Sequence, residues 1–537
     1  MVEPSVRVYR LFSPILIILA LGAFLLLFHL DHRPFWQDEA ETACLAKNVL
    51  KYGVPRAYDG VNLVSQEAGN EYGPNYLWRW SPWLQIYVAA AAFRLGGLTT
   101  YAGRLPFALL GLGCIFLVYR LVIHNFRDRA WALMAAALMA SSVPFLLYAR
   151  QCRYYSLGAF LTVASLYTFR EKWQSRTFPA LLLCLSLGLL FYANYLLFFS
   201  FAGAALLAAG LLYYSEMPLA RSLILTIAVG IIILPGLFFF RINQQATMVS
   251  LEAILANLQT YFGIFFQFMF PLPLAFYLMW RWGRLLWRRS GLLGAPQEKF
   301  ILFLSLVVLG NILLLTPAPQ GEMRYLIHLY PLGAMILGWI VCQAWRYQKF
   351  SGALLAVLLL GTNWLNILPL DWLRMLNRPF HNDHSMLTYP NLPLKLYLAE
   401  LSSPYPDVNQ SFIQFFQTHA QPGDTILTTY GDLPLQFYTS CKVLGGLQGQ
   451  IPITRPPDWL VLRCYPRWNR DYDLNNSEVL IRRILANSTD YQRVVLARED
   501  EIFGNQPDPF FHHFMPPVES LSPITIYEKK SLTRPKS

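Results

Sequence analysis

Charge is what this sequence has least of. Only 14% of its 537 residues are Asp, Glu, Lys or Arg, against roughly 25% in soluble globular proteins. That deficit excludes an ordinary soluble enzyme. Metal-ligand spacing is missing too: Cys44, Cys114, Cys152, Cys184, Cys342, Cys441 and Cys464 are scattered, with no paired motif among them. No internal repeat or low-complexity run is present. A small-residue cleavage pattern is also lacking after the first apolar stretch, which runs into Asp31-His32-Arg33-Pro34, so a removable leader is not expected.

What fills the space is apolar sequence, 55% of the chain. A membrane-spanning helix needs about 20 mostly apolar residues to cross about 30 Å of hydrocarbon. Eleven stretches qualify: 11–30, 104–123, 130–149, 155–170, 177–195, 196–214, 221–240, 259–281, 300–316, 326–345 and 350–370. The expected fold is a polytopic α-helical membrane module over residues 1–370. Residues 371–537 follow as an α/β domain with strands at Thr425–Tyr430, Trp459–Cys464, Arg493–Ala497 and Ile524–Tyr527. Cys441 and Cys464 share that domain and could form a disulfide.

The net charge of +12, from 43 basic and 31 acidic residues, admits two readings: nucleic acid as a partner, or the basic bias of cytoplasmic loops. Placement decides between them. If Pro82–Leu98 is an interfacial or re-entrant helix, the basic loops around Arg127, Lys172, Arg284, Arg289 and Arg346 all fall on the cytoplasmic side with the N-terminus. The inside then carries 16 basic and 5 acidic residues, leaving 27 and 26 outside. The charge is an address, and a nucleic-acid partner drops out. The outer face is expected to hold a long first loop (31–103), short loops and the C-terminal domain.

No Asp or Glu lies in any of the eleven spans. An ion-coupled transporter usually keeps ionisable groups at midplane, so this pattern speaks against one. Charge gathers instead at the expected outer boundary. In Phe35-Trp36-Gln37-Asp38-Glu39-Ala40-Glu41, Asp38 and Glu39 either cap a short helix or supply a carboxylate base beside an apolar surface. In Tyr148-Ala149-Arg150-Gln151-Cys152-Arg153-Tyr154-Tyr155, two arginines three apart suit a phosphate or snorkel to headgroups. In Glu322-Met323-Arg324-Tyr325, Arg324 either joins that phosphate site or pairs at the surface with Glu322. Tyr325 and Arg79 are further candidates for the donor phosphate, and Glu322, Tyr154, His328 and Glu252 are secondary candidates. Arg79, which opens the 82–98 helix, either reaches a headgroup or anchors the interface.

The order of these motifs resembles the GT-C-type membrane glycosyltransferases, in particular the protein O-mannosyltransferase and aminoarabinose lipid A transferase relatives. The likeness runs through Asp38-Glu39, Gly103-Arg104-Leu105-Pro106, Arg150 and Arg153-Tyr154, and Arg324-Tyr325 with Pro331. It continues more weakly in Pro422-Gly423-Asp424, Gly431-Asp432 and Phe437-Tyr438. The resemblance implies a polyprenyl-phosphate sugar donor, a lipid, glycan or protein acceptor among membrane lipids, and inversion at the anomeric carbon on the outer face. It also implies Asp38 as the catalytic carboxylate base with Glu39 beside it, and Arg150, Arg153 and Arg324 on the carrier phosphate. No carboxylate follows Arg150 in the second outer loop, so no resident metal is expected and a divalent ion is disfavoured. Trp80-Ser81-Pro82-Trp83 matches the family's Pro-Pro loop only loosely. A transporter and a non-catalytic lipid-binding scaffold are the rival classes.

Overall fold

A computed structural model describes residues 14–172, 177–216, 219–245, 250–287, 295–319, 321–372, 386–405, 407–449, 453, 455–463, 474–500, 507–515 and 523–530. Apolar backbone away from water must satisfy its own hydrogen bonds, and the chain does so with helices. Those helices are α1 (Pro14–Leu27), α2 (Gln37–Tyr52), α3 (Leu84–Gly96), α4 (Thr100–Phe126), α5 (Arg129–Ser141), α6 (Val143–Ala149), α7 (Tyr155–Lys172), α8 (Thr177–Ala193), α9 (Tyr195–Tyr213), α10 (Leu219–Phe239), α11 (Ile242–Gln245), α12 (Leu251–Phe268), α13 (Leu272–Trp287), α14 (Pro296–Leu315), α15 (Tyr330–Tyr347) and α16 (Lys349–Gly361). Among the described residues, five helices are individually long and apolar enough to cross a membrane, seven if each of two bent pairs counts as one.

Two expected spans are not straight. The stretch 130–149 is broken at Ser142, where α5 and α6 meet at 65°. Residues 259–281 belong to two helices, α12 and α13, set at 102°. The cause is local. Pro144, Pro271 and Pro273 lack the N–H that a continuing helix needs. Asn257 of α12 donates to the carbonyls of Thr316 (3.0 Å) and Ala318 (2.7 Å) just past α14, and Asn366 past α16 donates to Phe266 O (2.9 Å). Helix α12 is thereby tied to the segments that follow α14 and α16. The remaining expected spans are shorter apolar helices, including α1, α8 and α16.

Helix α3 packs with α2, with the first turns of α4 and with the C-terminal domain: Ile86, Ala89, Ala90 and Phe93 share a buried cluster with Ala43, Leu45, Ala102, Phe107 and Leu433. The C-terminal domain is built on α17 (Pro393–Ser402), α18 (Val408–His419), α19 (Asp432–Tyr438), α20 (Leu474–Asn487) and five strands. The strands are β1 (Thr425–Thr428), β2 (Lys442–Gly445), β3 (Trp459–Val461), β4 (Tyr491–Glu499) and β5 (Pro523–Lys529), in the order β2-β1-β3-β5-β4. β2, β1 and β3 are parallel, and β5 pairs antiparallel with β3 and β4. The sequence pattern anticipates four of these strands. Strand β2 is not among them, and α19 reads from sequence as a mere turn. Cys464 lies outside the described residues, and with it the Cys441–Cys464 pairing.

The sheet closes on Gly445, at φ +104°, where an added Cβ would sit 2.0 Å from Thr428 O. Gly445→Ala is expected to destabilise the C-terminal domain by more than about 1 kcal/mol, because the left-handed backbone and the close approach both exclude a side chain. Hydrogen exchange across residues 425–445 measures it; unchanged protection would refute the steric account.

Candidate active site

The site begins with the first turn of α2. Trp36 caps the helix, and the Glu39 carboxylate accepts from Trp36 N at 3.5 Å, while Gly53 ends the helix in the left-handed region. Acidic residues at a helix N-terminus are favoured by its dipole. These are almost wholly buried, with Asp38 8%, Glu39 0% and Glu41 7% exposed, so each needs a partner.

The helix turn sends them in different directions. Asp38 and Glu41 are three apart and share a face. Arg324 Nη1 donates to Asp38 Oδ2 at 2.6 Å, and Arg153 Nη2 lies 3.5 Å from the same oxygen. Arg153 Nη1 also donates to Glu41 Oε1 (2.8 Å), to Asp38 O (3.0 Å) and to Thr42 Oγ1 (3.2 Å). Arg324 Nε is 2.6 Å from Glu322 Oε2. The amide of Gln66 reaches in from the first loop, 2.7 Å from Glu41 Oε2 and 3.5 Å from Asp38 Oδ1. The guanidinium of Arg153 lies over the Tyr154 ring and that of Arg324 over the Tyr325 ring, with 5.9 and 5.5 Å to the centroids. Burial pushes the Glu322 carboxyl above its ordinary range, and the Arg324 charge pulls against that.

Glu39 faces the other way. Its carboxylate takes Arg104 Nε at 2.8 Å, Arg104 Nη2 at 2.6 Å and the backbone N–H of Cys152 at 2.7 Å. Arg104 also donates to the carbonyls of Leu30, Arg33 and Pro34. Arg150 is likewise turned from the cluster: it donates to Leu25 O and Phe28 O (both 2.9 Å) and His29 O (2.7 Å), closing the end of α1. Arg79 donates to Phe239 O at 2.8 Å and lies over the Phe239 ring. His328 is fully buried against Asn311, 2.8 Å from its Nδ2. Glu252 is exposed in the first turn of α12. Of the sequence candidates, the fold thus brings together Asp38, Arg153, Arg324, Glu322, Tyr154 and Tyr325, and holds Glu39, Arg150, Arg79, His328 and Glu252 elsewhere.

Sequence reasoning assigned no role to Glu41, Gln66 or Arg104. Glu41 was within reach, since spacing alone puts it on the Asp38 face. Gln66 sits in an aperiodic loop. That loop is fixed by the buried Glu71, whose carboxylate accepts from Ser65 Oγ (2.8 Å) and the N–H of Glu67 (2.7 Å) and also pairs with the N–H of Gln66.

The C-terminal domain roofs this cluster. Gln37 Nε2 donates to Asp432 Oδ1 at 2.8 Å, and Gln448 Nε2 lies 3.2 Å from Asp432 Oδ2. Tyr438 OH bonds Phe35 N (2.9 Å) and Thr100 Oγ1 (2.6 Å). Leu63 O accepts from Gln436 and Gln448, and Ala68 N donates to Leu447 O at 3.1 Å. No group of three or more His, Cys, Asp or Glu among the described residues is arranged to hold a metal ion.

No family model matches the sequence, and no curated protein does. Solved structures do. The crystal structure of ArnT from Cupriavidus metallidurans bound to undecaprenyl phosphate is 12% identical over 97% of this chain and 99% of that one, with a TM-score of 0.55. Its apo form gives 12% and 0.54 over the same shares. The Archaeoglobus fulgidus oligosaccharyltransferase in complex with Zn and sulfate gives 15% identity over 81% of this chain and 62% of that one, at a TM-score of 0.43, too low to call the fold shared. The chain is an integral membrane protein with the GT-C fold. Its likeness to ArnT runs the full length of both molecules, C-terminal sheet domain included.

Two outcomes test this arrangement. Glu39→Ala leaves Arg104 buried without its counter-charge and is expected to cost about 3–5 kcal/mol, read as lost folded protein in a detergent melting assay. Normal melting would show that the pair does not hold the turn. Asp432, fully buried, has its carboxyl pushed up to about 7 by burial, against the pull of the Gln37 and Gln448 hydrogen bonds. The folded chain keeps a proton that the unfolded chain releases near pH 4, so this group's stabilisation is full below about pH 4 and lost as pH rises to about 7. Asp432→Asn should flatten that fall in stability between pH 4 and 7.

Proposed function

We propose that this protein is an inverting glycosyltransferase, moving a sugar from a polyprenyl-phosphate donor to a hydroxyl acceptor on the outer side of the membrane. The single observation that carries the reading is a carboxylate, Asp38, held by Arg324 and Arg153 beneath the C-terminal domain. The shared fold supports it, because that ArnT structure contains undecaprenyl phosphate, a carrier of the class proposed.

In this reading Arg324 and Arg153 hold the carrier phosphate. Both are occupied in the unliganded chain, Arg324 by Asp38 and Glu322, Arg153 by Asp38 and Glu41. A phosphate entering beside them competes for the same N–H groups and loosens the grip on Asp38. The freed carboxylate takes the proton of the acceptor hydroxyl. The hydroxyl oxygen then attacks the anomeric carbon from the face opposite the phosphate. The bond from that carbon to the phosphate oxygen breaks, and the leaving phosphate keeps the electron pair. Negative charge grows on the phosphate during this step, and fixed guanidinium donors lower its cost; a comparable donor is worth about 3–4 kcal/mol of barrier. Tyr154 and Tyr325 wall the arginines, and Glu39 serves by fixing the turn that aims Asp38. The C-terminal domain covers the cleft or seats the acceptor, whether lipid, glycan or protein. The N-terminus lies in the cytoplasm and the C-terminal domain outside.

Incubation of the purified protein with a panel of labelled polyprenyl-phosphate sugars tests the reading: one donor is expected to be consumed. Asp38→Asn should cut the turnover by about 10²–10⁴-fold while polyprenyl-phosphate binding persists. An unaffected rate removes Asp38 as the base. Arg324→Ala should instead weaken binding of the phosphate itself.

A further inference from the structure

The two bends in the bundle meet at one place. A cavity lies between the α5–α6 break, the α12–α13 break, and the facing sides of α15 and α16. It leaves ≈ 90 Å³ in which the centre of a water molecule fits, within ≈ 740 Å³ of space that includes its open mouth. Ser142, Pro144, Gln267 and Met269 come to it from the two breaks, Ala334 from α15 and Leu360 from α16. Among the described residues, none on its wall is Asp, Glu, Lys, Arg or His.

Broken helices inside an apolar bundle are tolerated where the freed backbone groups line a cavity, and in membrane proteins such breaks point to binding sites. Two groups on the wall are unmet among the described residues, one acceptor and one donor. Pro271 has no N–H for the carbonyl of Gln267, and no other donor is placed on it. The Tyr330 hydroxyl is buried there without a hydrogen-bond partner. The side chain of Gln267 makes no hydrogen bond to the described residues, and the residue is only partly buried. Asn363 and Asn366, on the same wall, have their amide N–H groups committed to Leu387, Tyr389 and Phe266 carbonyls.

A wall whose described residues carry no charge, with one carbonyl and one hydroxyl unmet, offers a phosphate no counter-charge and suits a hydroxyl, which both donates and accepts. Leu337, Leu359 and Leu360 are on the wall, an apolar surface suited to a hydrocarbon chain. We propose that this cavity is a second lipid site, separate from the Asp38–Arg324 cluster, which takes the hydroxyl head of an uncharged lipid alcohol. It stands independently of the proposed sugar transfer.

Photolabelling of the full chain in phosphatidylcholine nanodiscs tests it, with diazirine-bearing diacylglycerol, polyprenol and phosphatidylglycerol as probes. Either alcohol is expected to label residues 138–144 and 267–269 about tenfold more than phosphatidylglycerol does. Which alcohol labels identifies the source. Labelling of α10, whose Ile227, Ile231 and Phe238 are exposed, should show no such preference. Ala334→Trp fills the cavity and should abolish the selective labelling; Leu360→Trp on the wall does the same if the first variant folds poorly. Equal labelling by the charged probe, or selective labelling that survives a well-folded filling variant, overturns the proposal and leaves a cavity that holds water alone.

Discussion

The arrangement depends on one constraint: three carboxylates within one turn of α2 are buried, and buried charge must be matched. Arg324, Arg104 and Arg153 supply the match from three separate segments of chain. A salt bridge of this kind adds little net stability, because desolvation of both ions nearly cancels their attraction. Its effect is geometric. Removing either partner leaves an uncompensated charge, so the start of α2, the start of α4, the loop after α6 and the approach to α15 are locked to one another. The same lock separates the roles of two neighbouring acids. Glu39 is spent on the frame and Asp38 is left at the junction of arginines.

The C-terminal domain is tied down by a buried ion pair, Arg33 Nη2 lying 3.0 Å from Glu400 Oε1, and by neutral hydrogen bonds. Neutral hydrogen bonds from Gln37, Asn62, Gln436, Gln448 and Tyr438 join the C-terminal domain to the first loop. Each contributes about 1 kcal/mol. Gly446, at φ +60°, lets the chain pass so close to Asp432 that a Cβ there would meet the carboxylate oxygen at 2.1 Å.

Much of the fold was legible because hydrophobic length is a local property. The apolar runs and the sheet-bearing tail follow from composition and pattern. The breaks at Ser142 and at 269–271 were less visible, although Pro144, Pro271 and Pro273 stand in the sequence; a proline inside an apolar run either kinks a span or ends it, and only the neighbours decide. Asp38, Arg153 and Arg324 could be picked out as charges at the ends of apolar runs. Arg150 could be picked out for the same reason, and its guanidinium caps α1 instead. Spacing cannot tell a guanidinium that meets backbone carbonyls from one that meets a carboxylate.

Sequence by itself determined the environment: a charge-poor chain of apolar runs that only a membrane-embedded helical bundle can accommodate, with its ionisable groups kept out of the runs. Tertiary structure decided which of those groups meet. Asp38 and Arg324 are far apart in sequence and 2.6 Å apart in space, and no periodicity encodes that distance. It follows from helix packing around the first turn of α2, where buried charges have to find each other.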